Sequence, residues 1–341
     1  EPGIRCMVME PTRELALQIT DVFNSLGKGS RVKTLCVHGG VEQDPQIDRL
    51  EKGIDILVAT PGRMFDLVSQ GHIDTGKVQI LVLDEADHML DLGFIHDIRQ
   101  LLKMIPRKRQ TLFFSATIDA EIKKLAYSMV TNAIRIQISP KDPVSKNVDH
   151  SVAFIGMDDK RFFLERLINE HPESRILVFV RTKVRAGRVS EAMERVGIKC
   201  LTMHGDKDQK ERISALKKFR DGEFMVLVAT DVSARGIDIA GVEYVVNYDL
   251  PEQPENYVHR VGRTGRGTKR GIAISFCSPE EKPLLEAIEE YTGNQISQLS
   301  ITKADYAMTL DLTAESKADW KTLVAKAEAD EEKWKKKGKK K

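Results

Sequence analysis

Ile80-Leu81-Val82-Leu83-Asp84-Glu85-Ala86-Asp87 is the stretch whose reading decides the fold. A short apolar run closed by polar residues predicts a buried strand. Carboxylates at its C-terminal end stand where open α/β sheets bind ligands. In a nucleotide-hydrolysing site the first acid holds Mg²⁺ through water and the second takes the proton of an attacking water. Taken alone, the same residues also describe an acidic first turn of a helix, which Asp and Glu favour.

Outward from this run, short β-branched segments recur at 54–58, 111–114, 176–180, 225–228, 244–246 and 272–276, with helical patterns between them. Strands alternating with helices predict parallel sheets covered on both faces. The polar stretch Ser139-Pro140-Lys141-Asp142-Pro143-Val144-Ser145-Lys146-Asn147 interrupts the series, as an exposed connection between two domains does. The expected organisation is an α/β domain at 1–138, a linker at 139–148, a second α/β domain at 149–303 and a charged tail at 304–341.

The 341 residues are enough for two domains, each with its own core. A 41% apolar and 30% charged composition fits a soluble globular protein. With a formal net charge of only +2, affinity for nucleic acid has to come from local clusters of Lys and Arg. Cys6, Cys36, Cys200 and Cys277 are scattered, without a C-x-x-C pair, and read as free thiols of a reducing compartment. No apolar run approaches the ~18 residues of a membrane span, and no signal peptide is evident; a cytoplasmic location and no membrane partner are expected. Seven of the last nine residues are lysine, which reads either as an arm for RNA phosphates or as a solvated tail.

The acidic motif has company. Pro11-Thr12-Arg13-Glu14-Leu15-Ala16, Thr60-Pro61-Gly62-Arg63, Ser115-Ala116-Thr117, Ala229-Thr230-Asp231-Val232-Ser233-Ala234-Arg235-Gly236-Ile237-Asp238 and His259-Arg260-Val261-Gly262-Arg263-Thr264-Gly265-Arg266 accompany it in a fixed order. Together the six segments resemble the signature series of the DEAD-box ATP-dependent RNA helicases of superfamily 2, over the chain from its start to about residue 300. The resemblance implies two RecA-like domains that grip ATP and RNA across the cleft between them. It also implies ATP and Mg²⁺ as cofactors, RNA as partner, and possible RNP, RNA-degradation or ribosome-assembly complexes.

One part of the pattern is missing. These helicases begin with an aromatic-plus-Gln adenine motif and a P-loop, G-x-x-x-x-G-K-[ST], whose amides and Lys hold phosphates. Neither occurs in the 341 residues; Gly262 to Gly267 has the glycine spacing but is followed by Thr268. The expectation is an N-terminally truncated fragment, its first domain incomplete at the N-terminus and unable to hydrolyse ATP alone. The alternatives are a non-catalytic RNA-binding relative and, more distantly, a DNA translocase.

Residue by residue, the resemblance implies that Asp84 positions Mg²⁺ through water, Glu85 polarises the attacking water and Asp87 joins the hydrogen-bond web that closes the cleft. Ser115 and Thr117 link nucleotide state to closure, and Asp238 accepts from the ribose hydroxyls. Arg263 and Arg266 are three apart, so one turn or tight loop aims both forks at a transferred phosphate. RNA contacts fall to Thr12, Arg13, Gly39, Gly40, Thr60, Pro61, Gly62 and Arg63 in the first domain, and to Arg181, Gln209, Arg212, Thr230 and Asp231 in the second. Gly-Gly and Thr-Pro-Gly-Arg offer unobstructed amides beside a charge, as a phosphate-tracking groove needs. Each is also an ordinary turn sequence. Contacts to sugar and phosphate imply little sequence preference, with the 2′-hydroxyl distinguishing RNA from DNA.

Overall fold

The computed structural model describes residues 3–116, 120–130, 132–137, 144–234, 239, 241–267 and 269–312. In chain order the first elements are β1 (Cys6–Met9), α1 (Arg13–Leu26), β2 (Thr34–Val37), α2 (Asp44–Glu51), β3 (Ile56–Ala59), α3 (Pro61–Ser69), β4 (Ile80–Leu83), α4 (Ala86–Asp91), α5 (Ile95–Met104), β5 (Gln110–Phe113) and α6 (Ala120–Met129). There follow β6 (Val148–Phe154), α7 (Lys160–Glu170), β7 (Ile176–Val180), α8 (Lys183–Arg195), β8 (Cys200–Met203), α9 (Gln209–Arg220), β9 (Val226–Thr230), α10 (Asp231–Ala234), β10 (Tyr244–Asn247), α11 (Pro254–Val261), β11 (Gly271–Cys277), α12 (Lys282–Thr292), β12 (Ser297–Gln298) and α13 (Lys303–Leu312). The chain forms two compact units: residues 1–138 with 208–213 and 234–238, and the remainder.

The first unit is built on a five-stranded parallel sheet in the order β2-β3-β1-β4-β5. Alternation along the strands divides its residues between two faces. Met7, Met9, Leu57, Leu81 and Leu83 pack with Met64 and Leu67 of α3 and Met89 of α4, while Val8 and Val58 pack against Ala16 of α1. Each fully buried Leu contributes about 1.5–3 kcal/mol relative to exposure. In register, Met9 pairs with Ala59 and Leu83, Val37 with Ala59, and Leu83 with Phe113. All five strands therefore end along one edge, where Glu10 to Arg13, His38 to Gly40, Thr60, Asp84 and Ser115 follow.

The second unit carries a seven-stranded parallel sheet in the order β12-β6-β11-β10-β7-β9-β8. All five residues of β7, Ile-Leu-Val-Phe-Val, are buried, as a central parallel strand covered on both faces requires. The described part of this unit runs to residue 312. The Tyr306 ring of α13 stands 4.9 Å from Phe163, and its hydroxyl donates to Asp159 Oδ2 at 2.8 Å. The strand ends again share one edge: Val180 of β7 pairs with Thr230 of β9, and Phe179 with Asn247 of β10. Arg181 consequently flanks Asp231. Among the described residues no helix is long and apolar enough to cross a membrane.

Candidate functional site

At the end of β4 the chain turns sharply. Asp84 N donates to Met9 O at 3.2 Å, and Asp84 Oδ1 accepts from Glu85 N at 2.9 Å. Glu85 occupies the left-handed region, with φ 44° and ψ 52°, immediately before α4. A non-glycine residue held there stores strain of order 1–3 kcal/mol. Ala86 N donates to Phe114 O at 3.0 Å, which ties the acids to the end of β5 and brings Ser115 to them. His88 Nδ1 lies 3.3 Å from Glu85 Oε2, and Asp87 is buried in the first turn of the helix. Burial, and then the charges of Glu85 and Asp87, raise the Asp84 carboxyl above its ordinary value, against the Glu85 N–H that favours its ionised form.

A fourth acid joins them that the motifs do not include. Glu10 follows β1, its N–H donating to Ala59 O at 2.9 Å, and the residue is 0% exposed. Neither carboxyl oxygen has a hydrogen-bond partner. Burial first, then Asp84 and Glu85, push its pKa up to about 9. The one signal in the sequence is position: the Met9–Leu83 pairing makes Glu10 the neighbour of Asp84, but only once β1 is known to lie beside β4.

Farther along the same edge the first unit's other candidates meet. Thr12 caps α1, its hydroxyl accepting from Leu15 N at 3.4 Å. The Arg13 guanidinium lies against Gly39 and Gly40; Gly40 has φ +76°, and a Cβ there would run into that guanidinium. Arg63 Nη2 donates to Val41 O at 2.9 Å, so two arginines flank one bare loop. Gln46 staples the loop by accepting from His38 N and donating to His38 O and Glu42 O, a positioning role the motifs did not reveal. Thr60 is the N-cap of α3, Pro61 its first residue, and Gly62 has open space around its Cα. Within this unit Gln209 Nε2 donates to Glu14 Oε1 at 2.8 Å and Arg212 pairs with the same carboxylate at 3.1 Å.

In the second unit, Asp231 is gripped by a residue outside the candidate set. Arg260, 1% exposed, donates Nε and Nη2 to the two Asp231 oxygens at 2.5 and 2.7 Å. Its Nη1 donates to Asn247 Oδ1 at 3.2 Å and Asp249 O at 2.7 Å, and the guanidinium lies 5.2 Å from the Phe179 ring centroid. Thr230 is buried, its hydroxyl 3.3 Å from Ser233 Oγ. Arg263 and Arg266 stand in the turn after α11, Arg263 Nε donating to His259 O at 3.0 Å and Arg266 Nε to Gly262 O at 3.1 Å. Arg263 is buried and Arg266 exposed. Thr117, Asp238 and the Lys-rich end lie outside the described residues, as do 139–143 of the expected linker.

Hard carboxylate oxygens, mutually repelling and short of positive charge, suit a hard divalent cation. Among the described residues no group of three or more His, Cys, Asp or Glu is arranged to ligate a metal directly.

Acids and arginines gather at the strand ends of the two parallel α/β units, and the comparisons with known proteins show the family they belong to. Residues 1–125 match the DEAD/DEAH box helicase model and residues 159–268 the helicase conserved C-terminal domain model. The chain is similar to the DEAD-box ATP-dependent RNA helicase CshA of Bacillus subtilis, 40% identical over 307 residues, covering 90% of this chain and 62% of that one. It is 42% identical over 297 residues to the ATP-dependent RNA helicase RhlB of Haemophilus influenzae, covering 86% of this chain and 72% of the relative. Among solved structures, S. cerevisiae Dbp5 bound to RNA and ADP BeF3 superposes with a TM-score of 0.81 at 30% identity, covering 91% of this chain and 81% of that one. The chain belongs to the DEAD-box RNA helicase family, and its folds are RecA-like.

Proposed function

We propose that the protein to which this chain belongs is an ATP-dependent RNA helicase that separates short duplexes and remodels RNA or RNP in the cytoplasm. The observation that carries the proposal is the strand-end acid group, with Glu85 held in a strained turn beside Asp84. Asp84 would hold Mg²⁺ through water; when bound, that ion neutralises charge on the phosphate oxygens. Glu85 takes the proton of the attacking water, with Asp87, Ser115 and Thr117 supporting the arrangement and Asp238 on the ribose. Arg263 and Arg266 stabilise charge on the transferred phosphate, for which a planar fork is suited.

RNA lies along the strand ends. Arg13 and Arg63, flanking Gly39 to Val41, bind backbone phosphates, and the amides of Thr60 to Gly62 at the start of α3 add donors. Arg181, Gln209, Arg212 and Thr230 extend the contacts, and Asp231 contributes through Arg260.

RNA binding is tested on the chain itself. R13A/R63A weakens affinity for single-stranded RNA and flattens the salt dependence by about 1.4 in log–log slope, two phosphates' worth. ATP turnover is tested on the chain extended upstream through its reading frame, because these 341 residues contain no G-x-x-x-x-G-K-[ST]. In that protein E85Q lowers RNA-stimulated turnover by about 10²–10⁴ while sparing RNA affinity. Retained RNA binding without turnover in the extended protein would favour the non-catalytic relative instead.

A further inference from the structure

A buried charge network in the second unit lies outside the six signature segments. Lys160, the first residue of α7, is 0% exposed, and Glu281, immediately before α12, is 1% exposed. Their side chains meet at 2.5 Å, and Lys160 Nζ also donates to Tyr248 O at 2.7 Å. The Glu281 carboxylate is fully engaged: Oε2 also accepts from Ser278 N at 3.1 Å, and Oε1 accepts from Leu250 N at 3.2 Å and Arg181 Nη2 at 3.1 Å. Asp249 Oδ2 accepts from Arg181 N at 3.2 Å, and Arg185 Nε stands 3.3 Å from Asp249 Oδ1. The network runs from a wholly buried ammonium to Arg181, whose side chain is 30% exposed.

A buried ion pair is a poor stability device, since well-packed apolar residues commonly do as well. What this pair does that an apolar pair cannot is hold a guanidinium by one of its nitrogens. The Glu281 pair uses Nη2, leaving Nε and Nη1 outside it. Arg181 stands at the end of β7, beside Thr230 and Asp231 at the end of β9. A preorganised fork loses less freedom on meeting a phosphate than a free side chain does.

We propose that Glu281, held in turn by Lys160, is a positioning residue for RNA: it fixes the Arg181 guanidinium at the strand edge so that its remaining donors meet a backbone phosphate. This rests on the RNA role proposed above for Arg181.

The test uses the 341-residue chain and a short fluorescein-labelled oligo(U), with Kd measured by anisotropy over a salt series. R181A is expected to weaken binding several-fold and to reduce the log–log salt slope by about 0.7, one phosphate on a single strand. E281A would strand a buried ammonium and destabilise the unit, so the working variant is K160M/E281L, which replaces the pair with apolar side chains. It is expected to reproduce both R181A changes and to add nothing in the R181A background. K160L/E281M repeats the comparison with a second apolar pair should the first double variant melt. Parent-like affinity and slope in either double variant, with R181A weakened, overturn the positioning role, as does further weakening of R181A by the pair. Parent-like binding by R181A overturns its RNA role and this inference with it.

Discussion

Two buried glutamates stand just beyond strands of similar parallel sheets, Glu10 in the first unit and Glu281 in the second, and their surroundings are opposite. Glu281 has an ammonium, a guanidinium and two backbone N–H groups on its oxygens. Glu10 has no hydrogen-bond partner and two acids for neighbours. Burial penalises a charged carboxylate in both places, so the donors decide the outcome. At Glu281 the charge is compensated and becomes a rigid fixture. At Glu10 burial and repulsion keep the proton on, and the acid group of the first unit remains short of positive charge.

The largest effect that would sharpen this contrast is E281A. Removing one partner of a buried pair costs about 3–5 kcal/mol, expected as an early unfolding step of the second unit in a urea titration. A loss within about 0.5 kcal/mol would show that the network is not rigid.

E10Q should act in the opposite sense, and its effect should depend on pH. The folded pKa of Glu10, about 9, lies above its ordinary 4.5, so the folded protein keeps a proton that the unfolded chain releases. Its contribution is full below pH 4.5 and is lost as pH rises toward 9. Stability of the parent therefore declines across that window, and E10Q flattens the decline, its advantage over the parent growing toward the alkaline end. Parallel stability curves for the two proteins would place the charge deficit elsewhere.

Smaller effects bound the comparison. T12A removes the cap of α1, costing about 1 kcal/mol in chemical denaturation. E170A breaks an exposed pair with Arg166, one turn apart on α7, and should shift stability by no more than about 0.5 kcal/mol.

What could be read from the sequence divides along the same line. Ile80-Leu81-Val82-Leu83 and Ile176-Leu177-Val178-Phe179-Val180 announce themselves as strands because each is a continuous apolar run, and both have the expected bounds. The strands β1, β2, β6 and β8 escape such a reading. Cys6–Met9 and Cys200–Met203 carry a single β-branched residue each, and Val148–Phe154 mixes Asp149, His150 and Ser151 into its pattern. Their strand character comes from parallel neighbours distant in sequence, which local patterning does not encode. Asp84, Glu85, Arg263 and Arg266 were legible through their motifs. Glu10, Lys160, Glu281 and the grip of Arg260 on Asp231 were not, because each takes its character from remote partners. Lys160 and Glu281 are 121 residues apart, and in sequence Lys160 looks like a surface lysine.

The most direct test of the account is the affinity of this 341-residue chain for single-stranded RNA and for DNA of the same sequence across a salt series, beside R13A/R63A. The account predicts tighter binding to RNA, a salt slope of several phosphates, and a loss of about two of them in the variant. Equal affinity for RNA and DNA with no change in the variant would contradict it.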